Sequence, residues 1–319
     1  MTLPSLLALL AALQAGAADA APTVPQRLAP AALGQDGRIT LSPGFSPDGQ
    51  VMVFAQSECG EIGRCPQRMK LSRRGPEGWG APELIARTAA GRADYPSVAP
   101  DGRTVLFSWA VPRARHEGEG VREDFDLYRL DLFEEDSVPE PIDEPDINRV
   151  RGGRLATLRF VHNETAPVLT EAGDLYFWTE RLDGPGERDV YVAEGNGAGG
   201  FRAPVPVSIS GAGREDGAWV SPDGRLMLLS MSGRADGAGG GDLYLSRRVG
   251  GPADWSAPVS LGPVVNSAYG DGSARITPDG EHLVFSSTRP FEGQAPGLWQ
   301  IWTVPVGAVP VLAEALGSD

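Results

Sequence analysis

The stretch NSAYGDGSARITPDGEHLVFSSTR at 266–289 holds two short apolar segments separated by a Pro-Asp-Gly turn. The same turn returns upstream in SPDGQVMVF at 46–54, APDGRTVLF at 99–107 and SPDGRLMLL at 221–229, and TEAGDLYFW at 170–178 is a diverged copy. Proline presets φ for a turn, Asp tolerates the next position, and Gly takes the positive φ that closes it. Each copy therefore predicts a β-hairpin, and five hairpins of one kind decide the fold class.

The spacing of these turns indicates a propeller. Their glycines are separated by 53, 71, 51 and 56 residues, and a period of about 50 residues with strand signals is typical of propeller blades. The segments after the turns, such as VMVF at 51–54 and HLVF at 282–285, are apolar at successive positions, as in strands that are covered on both faces. A third strand follows each of them, and an outer fourth strand is recognisable in three repeats. One repeat is thus predicted to form one four-stranded blade.

The run 265–289 and the four intact Pro-Asp-Gly copies resemble the TolB-like β-propeller family, whose WD-like blades carry this turn signature. The resemblance extends over about 40–310 and implies an all-β propeller. It implies no single function, since the family includes envelope scaffolds, proteins fused to peptidoglycan-binding domains and a few enzymes. TolB itself has six blades and a separate α/β domain ahead of its propeller, for which only about 20 residues are available here.

Five copies predict five four-stranded blades, with six blades as the alternative. No gap between turns is long enough for a hidden sixth blade, because the longest gap is 71 residues. The last blade lacks an outer strand in sequence order, and either PQRLAP at 25–30 or VPVLAE at 309–314 is predicted to complete it. The N-terminal segment would close the ring and remove its open edge.

The N-terminal residues predict export. Residues 1–20 combine a Leu- and Ala-rich segment with an Ala-Asp-Ala cleavage pattern of secretory signal peptides, although no Lys or Arg follows Met1. Cleavage would leave residues 21–319 as a single propeller domain, either periplasmic or secreted, and an uncleaved anchor is the alternative. The apolar segment is short for a stable membrane span, which needs about 20 residues.

Cys59 and Cys65 are the two cysteines of the chain and bracket the segment GEIGR. In an oxidising compartment, a short-loop disulfide is the natural interpretation. A metal or redox pair is the alternative, but the C-x-x-C spacing and further ligands at suitable positions are missing from the sequence.

The formal net charge of −14 argues against nucleic acid and anionic membranes as partners, and no basic stripe offsets it. The longest gap between turns holds extra residues at about 133–162, which are acidic at first and then rich in Arg. This insertion is interpreted as a solvated surface loop, with partner binding as the alternative.

Carboxylates recur shortly before the first strand of four repeats. Each lies seven or eight residues ahead of the central residue of its turn, and the innermost strand of a blade lines the propeller channel. They are predicted to meet at one channel mouth and are Asp94, Glu164, Asp216 and Asp271. Three interpretations stay open: local caps or ion pairs with Arg of the same blade, a grip on a Lys or Arg of an inserted peptide, and a Ca²⁺ site. No other cofactor is predicted.

Two further sets of repeated residues are assigned structural roles. Arg181 with Asp189, and Arg234 with Asp242, are predicted ion pairs within their blades. Aromatic residues at one outer-strand position are interpreted as packing between blades, with sugar stacking as the alternative. They are Trp79, Phe201 and Trp255.

Motifs for catalysis are scarce. The histidines His116, His162 and His282 have no metal-ligand spacing, no G-x-S-x-G elbow occurs, and the Gly-rich loops lack the ending of phosphate loops. The sequence therefore favours a non-enzymatic role, an exported scaffold that binds an envelope protein or peptide through the four carboxylates. The alternative is an enzyme that processes glycans or peptides with channel carboxylates, since a pair at a suitable separation can hydrolyse glycosides.

Overall fold

The computed structural model describes residues 24–34, 37–61, 64–111, 125–144, 146–148, 163–181, 183–294 and 296–317. The predicted signal peptide at 1–20 lies outside these ranges, as do 149–162 of the predicted insertion, His116 and His162. Within the described ranges, no helix has the length and hydrophobicity that crossing a bilayer requires.

Five small antiparallel sheets form the five blades of a β-propeller. The N-terminal strand β1 (Gln26–Arg27) is the outer strand of the last blade, and the helix α1 (Pro30–Leu33) follows it. The first blade contains β2 (Thr40–Phe45), β3 (Val51–Ser57), β4 (Gln67–Gly75), β5 (Gly78–Trp79) and β6 (Glu83–Leu84). The second contains β7 (Arg92–Val98), β8 (Thr104–Ala110), β9 (Asp126–Asp131) and β10 (Glu140–Pro141). The third contains β11 (Glu164–Leu169), β12 (Leu175–Thr179), β13 (Asp189–Ala193) and β14 (Val205–Pro206). The fourth contains β15 (Arg214–Val220), β16 (Leu226–Ser232), β17 (Asp242–Arg247) and β18 (Val259–Ser260). The fifth contains β19 (Asp271–Ile276), β20 (His282–Ser287) and β21 (Gln300–Pro305), and the helix α2 (Pro310–Leu316) ends the described chain.

The prediction of five blades is confirmed, and six blades is wrong. The ring is closed by its N-terminal segment, because β1 pairs with β21 through Gln26 opposite Thr303 and Arg27 opposite Trp302. The other predicted closing segment, 309–314, lies largely in α2, which begins with a proline in its first turn. Proline suits that position because the first helical N–H has no intrahelical partner.

Successive residues of each second strand face opposite neighbours. In β3, Val51 and Val53 pack against the second blade, while Met52 and Phe54 pack against the fifth. The same arrangement places a buried hydrophobic cluster at each blade interface. The continuous apolar runs of the sequence follow from this double burial. Full burial of a side chain such as Phe54 contributes about 1.5–3 kcal/mol.

The outer-strand aromatics pack between blades, as predicted. Trp255 of the fourth blade meets Tyr176 of the third edge to face, with ring centroids 5.9 Å apart. Trp79 and Phe201 are half-buried against the clusters at two other interfaces.

The Pro-Asp-Gly turns form as predicted. In the first, Gly49 has a φ of +68° and its N–H donates to Ser46 O at 2.8 Å. The Ser46 hydroxyl donates to Asp48 Oδ1 at 2.5 Å and holds the pKa of Asp48 below its usual value. The Ser or Thr before proline is thus part of the turn.

The inner strand of every blade contains a β-bulge at one equivalent residue. The pairing register shifts there, and the bulged residue has a φ between 49° and 57°. These left-handed residues are Ser42, Tyr95, Ala166, Gly217 and Ser273. Four of them are not glycine, and each such conformation costs about 1–3 kcal/mol. A bulge re-aims the side chains beside it, and here it does so at the channel in all five blades.

A disulfide joins Cys59 and Cys65 in the loop between β3 and β4. Because it closes a short loop, its removal is expected to lower the free energy of unfolding by about 2 kcal/mol. The double variant Cys59→Ser/Cys65→Ser, unfolded in urea, checks this value. Reductant should bring the wild type to the same stability, and an unchanged urea midpoint in both experiments would contradict the prediction.

Candidate active site

The middle of the propeller channel is filled by the left-handed residues. The Ser42 and Ser273 hydroxyl oxygens lie 3.3 Å apart, and Tyr95 packs edge to face on Trp178, with ring centroids 6.2 Å apart. Two cavities remain at opposite ends of the inner strands, and they share no lining residue. We call them the strand-start pocket, which has a volume of about 340 Å³, and the turn-side pocket, which has about 460 Å³. The strand-start pocket is lined by Leu41, Gln67, Arg92, Asp94, Tyr95, Phe125, Asn163, Thr165, Trp178, Glu180, Arg188, Ser273, Ser286 and Trp299.

The four predicted carboxylates do not form one ring. Asp94 and Asp216 directly precede the left-handed residue of their blades, whereas Glu164 and Asp271 lie one position earlier. Successive side chains of a strand point to opposite faces, so this one-residue difference separates the two pairs. Asp94 and Asp216, seven residues before the centre of their turns, lie on one face of the inner strand. Glu164 and Asp271, eight residues before it, lie on the other face, so the two spacings are not equivalent.

Glu164 and Asp271 are bound to arginines of their own blades. Glu164 is fully buried with Arg181, at 3.3 Å from Arg181 Nη2 to Glu164 Oε1. Asp271 Oδ1 accepts from Arg289 Nη2 at 2.8 Å, and its other oxygen accepts from Ser267. These two residues therefore have the structural role that was one of the three interpretations.

Asp94 faces the strand-start pocket with few hydrogen-bond donors around it. The Tyr95 N–H donates to Asp94 Oδ1 at 2.9 Å, and Arg92 Nη2 lies 3.5 Å from Asp94 Oδ2. Only 3% of Asp94 is exposed, and burial raises the pKa of this carboxyl despite the opposing charge of Arg92. The protonated form of Asp94 is therefore favoured more than in a solvated Asp.

Glu180 and Asp216 share one guanidinium. Arg188 Nε donates to Glu180 Oε1 at 2.8 Å, and Arg188 Nη1 donates to Asp216 Oδ2 at 2.9 Å. Asn163 Nδ2 donates to the second oxygen of Glu180 at 3.2 Å. Burial raises the pKa values of Glu180 and Asp216, while the Arg188 charge opposes that rise. Glu180 and Arg188 are not predicted from the sequence, since neither residue type repeats at the same position in the other blades.

Aromatic rings form part of the pocket wall. Arg188 lies over the Trp178 ring at 5.0 Å, and Arg92 lies over the Phe125 ring at 5.0 Å, both measured to the ring centroid. Burial, followed by the charges of Asp94 and Asp216, raises the pKa of Tyr95, which keeps its hydroxyl protonated.

Several lining residues carry polar atoms without a hydrogen-bond partner among the described residues. They are both amide atoms of Gln67, Arg92 Nε, Thr165 Oγ1 and Trp178 Nε1. Buried polar groups are normally paired, so these buried atoms make the wall of this pocket more polar than the hydrophobic clusters between the blades.

The predicted Asp–Arg pairs within blades are wrong. Arg234 instead forms an ion pair with Asp236, with 2.9 Å between Nε and Oδ1. Arg181 forms one with Glu164, with 3.3 Å between Nη2 and Oε1. Asp189 and Asp242 instead accept backbone N–H groups of the loops that precede their strands, from Gly186 at 3.0 Å and Ala238 at 3.0 Å. An Asp that opens a strand satisfies local donors more readily than a distant charge.

Glu215 occupies the same position as Glu164 and Asp271, but no arginine among the described residues forms a hydrogen bond or ion pair with its carboxylate. Its Oε2 accepts from the Gly211 N–H at 3.3 Å, and burial, followed by the charges of Asp189 and Asp216, raises its pKa to about 7. The folded state therefore binds a proton more tightly than the unfolded chain, whose Glu has a pKa of 4.5. Glu215 therefore makes its full contribution to the free energy of unfolding below the unfolded pKa of 4.5, and this contribution is lost as the pH rises through about 7.

Glu215→Gln is thus expected to remove this loss. The variant should melt at a higher temperature than the wild type above neutral pH and at a similar temperature near the unfolded pKa of 4.5. Thermal melting across that pH range tests the difference. Parallel pH profiles for the two proteins would contradict the assigned pKa.

In the part of the chain that the structure describes, the side chains close enough to share a metal ion are Asp279, Glu281 and His282. They lie at the Pro-Asp-Gly turn of the fifth blade, with both acids exposed, and not at the strand-start pocket. Calcium at the predicted channel mouth stays a prediction.

Comparison with known proteins identifies the fold. No model of a known protein family matches the chain, and a search of curated proteins finds no match. Solved structures do match: a thermostable family-43 glycoside hydrolase has a TM-score of 0.54 at 10% identity, over 88% of this chain and 92% of that one. A xylan β-1,4-xylosidase from Bacillus halodurans C-125 has a TM-score of 0.50 at 12% identity, over 86% of this chain and 54% of that one. A GH43 protein from Bacillus licheniformis has a TM-score of 0.50 at 13% identity, over 84% of this chain and 52% of that one.

These similarities establish the five-bladed propeller. The expected role as a protein- or peptide-binding scaffold is contradicted, because the propellers that match this chain include those of glycoside hydrolases.

Proposed function

We propose that this protein is a glycoside hydrolase whose substrate binds in the strand-start pocket. The observation that carries the proposal is the pocket's content: carboxylates with raised pKa values beside aromatic rings and unpaired polar atoms. Glycoside hydrolysis uses two carboxyl groups, one of which must be protonated at the start. Sugar rings present hydroxyl groups to polar atoms and apolar faces to aromatic side chains.

Asp94 is the proton donor in this proposal. Among the described residues it has one close hydrogen-bond donor and a weak contact with Arg92, and burial raises its pKa, which favours the protonated form. Asp94 gives that proton to the glycosidic oxygen while the bond to the anomeric carbon breaks. Glu180, with its oxygens held by Arg188 and Asn163, takes a proton from the water that attacks the anomeric carbon. Asp216 positions Arg188 from the other side.

The closed floor of the pocket favours action on chain ends. Tyr95 and Ser273 line the pocket at the level where the channel is filled, so a polysaccharide cannot thread through it. A volume of about 340 Å³ lies at the small end of ligand pockets. We therefore propose removal of a terminal sugar residue.

The cellular setting belongs to the proposal as well. Residues 1–20 are proposed to direct export to the periplasm or the outside, and the Cys59–Cys65 disulfide suits such a compartment. The Pro-Asp-Gly turns support the proposal that the blades are related to those of TolB-like propellers.

The test is a hydrolysis assay of residues 21–319 with a panel of nitrophenyl pentosides and hexosides between about pH 4 and pH 9. Release of nitrophenol from one class of glycoside, with free terminal sugar as the product from oligosaccharides, is the expected result. The product anomer, read by NMR, should be inverted if Glu180 activates water. No turnover of any glycoside or natural xylan and arabinan fragments would reject the proposed function.

A further inference from the structure

The turn-side pocket lies at the other end of the channel and has mostly apolar walls. It has a volume of about 460 Å³, and its lining includes Phe45, Val168, Trp219, Ile276 and Leu316. Leu316 comes from α2, which is anchored at this end by the fully buried Leu312. The proposed hydrolysis makes no use of this cavity.

A buried charged side chain, Arg275, lies among the apolar residues that line this space. Arg275 lies two residues after the left-handed Ser273, and the equivalent residues of the other blades also line the pocket. They are Gly44, Ser97, Val168 and Trp219. Arg275 is therefore the one charge at this position in the five repeats, and the repeat architecture does not require it.

Arg275 is buried without a counter-charge. Only 6% of it is exposed, and among the described residues it forms no ion pair. Nη2 donates to Pro96 O at 3.2 Å, while Nε is buried without any hydrogen-bond partner. Burial alone lowers the pKa of this guanidinium, to about 10, so it remains charged at neutral pH.

The neighbouring blade leaves room for this side chain. Arg275 of the fifth blade reaches Pro96 of the second across the first blade, where Gly44 has no side chain. A Cβ atom at Gly44 would lie 2.7 Å from the same Pro96 oxygen. The local structure thus holds the guanidinium inside the channel instead of letting it extend to solvent.

An unpaired buried charge destabilises a fold unless something compensates it. A guanidinium is compensated best by a planar anion that accepts two parallel hydrogen bonds. The apolar walls suit an apolar body behind that anion, and the acids Glu171 and Asp223 at the lining disfavour a dianion such as a phosphate monoester.

We propose that the turn-side pocket binds an organic carboxylate with an apolar body, its carboxylate on Arg275 and its body against Phe45 and Trp219. This site is separate from the strand-start pocket, because no residue lines both cavities. Ligand binding there does not depend on the proposed hydrolysis.

The test measures binding of octanoate and octanamide to the folded protein by calorimetry, with tryptophan fluorescence, to which Trp219 contributes, as a second signal. Octanoate should bind at least about tenfold more tightly than octanamide, since only the carboxylate pairs with a guanidinium. Arg275→Met should lower octanoate affinity at least about tenfold and leave octanamide affinity unchanged. The matched control Arg225→Met, near the same end of the channel and exposed, should bind octanoate like the wild type.

Two further variants serve as controls: one tests whether the two pockets act independently, and the other keeps the proposal testable if Arg275→Met does not fold. Asp94→Asn should bind octanoate like the wild type, whatever it does to hydrolysis. Arg275→Lys keeps the charge and should retain a preference for octanoate over octanamide, even if Arg275→Met fails to fold. Equal affinity of the wild type for the two ligands, or no octanoate binding up to about 10 mM, would overturn the proposal.

Discussion

Asp94→Asn is expected to lower kcat/KM for glycoside hydrolysis by about 100- to 10,000-fold, the usual contribution of a general acid. Asn has the same shape, and its side-chain oxygen can still accept the Tyr95 N–H that Asp94 accepts at 2.9 Å. The variant should therefore melt as a folded propeller while it lacks the proton that the leaving group needs. Steady-state kinetics on a nitrophenyl glycoside that the wild type cleaves gives the ratio.

The leaving group distinguishes loss of the acid from other damage. A dinitrophenyl glycoside needs little protonation, so Asp94→Asn should lose much less activity on it. Glu180→Gln should lose activity on both substrates, because attack by water is slowed in each case. The exposed variant Glu187→Gln, which removes only a surface pair with Arg214, should behave as the wild type. Equal losses for Asp94→Asn on both substrates would contradict its role as the proton donor.

The pH profile provides a second check on the same residue. Burial raises the pKa of Asp94, and the acid must be protonated to act. Wild-type kcat/KM should therefore fall as the pH rises through that raised pKa, and this alkaline limb should be missing from the profile of Asp94→Asn. An unchanged limb would assign the proton to a different group.

The blades could be predicted from the sequence because their signals are local. A Pro-Asp-Gly turn fixes its own hairpin, as Gly49 shows, and β3 is apolar at successive positions because each face meets a neighbouring blade. The strand that closes the ring could also be predicted, because the last blade has an open edge that needs a partner strand. The N-terminal segment 25–30 has the pattern of an outer strand, and β1 within it pairs with β21.

The pocket could be predicted only in part. The repeat predicts the position of Asp94, but it also places Glu164 and Asp271 beside Asp94, although a shift of one residue turns a side chain to the other face of the strand. The sequence does contain this difference, because Asp94 lies seven residues before the centre of its turn, whereas Glu164 and Asp271 lie eight residues before theirs. The roles of Glu180 and Arg188 could not be predicted, because Arg188 joins Glu180 of the third blade to Asp216 of the fourth. This contact depends on how the two blades pack.

Glu164→Gln is expected to lower the free energy of unfolding by about 3–5 kcal/mol, because it removes one partner of a buried ion pair. Glu164 is 0% exposed and Arg181 is 2% exposed, so solvent cannot replace the lost carboxylate. Arg181 would keep its bond to Ile147 O at 2.8 Å, but a carbonyl does not neutralise a guanidinium. Urea unfolding of the variant and the wild type gives the difference.

A double variant separates the charge effect from the loss of packing. Glu164→Gln/Arg181→Met removes the stranded charge and should recover much of the stability, since neutral replacements of a buried pair are often tolerated. The exposed pair Arg214–Glu187 serves as the control, and Glu187→Gln should change stability by less than about 1 kcal/mol. The folded fraction of Glu164→Gln should keep wild-type kcat, because Glu164 faces away from the strand-start pocket. If the Glu164→Gln protein were as stable as the wild type but inactive, the prediction would be wrong, and Glu164 would act in the strand-start pocket together with Asp94.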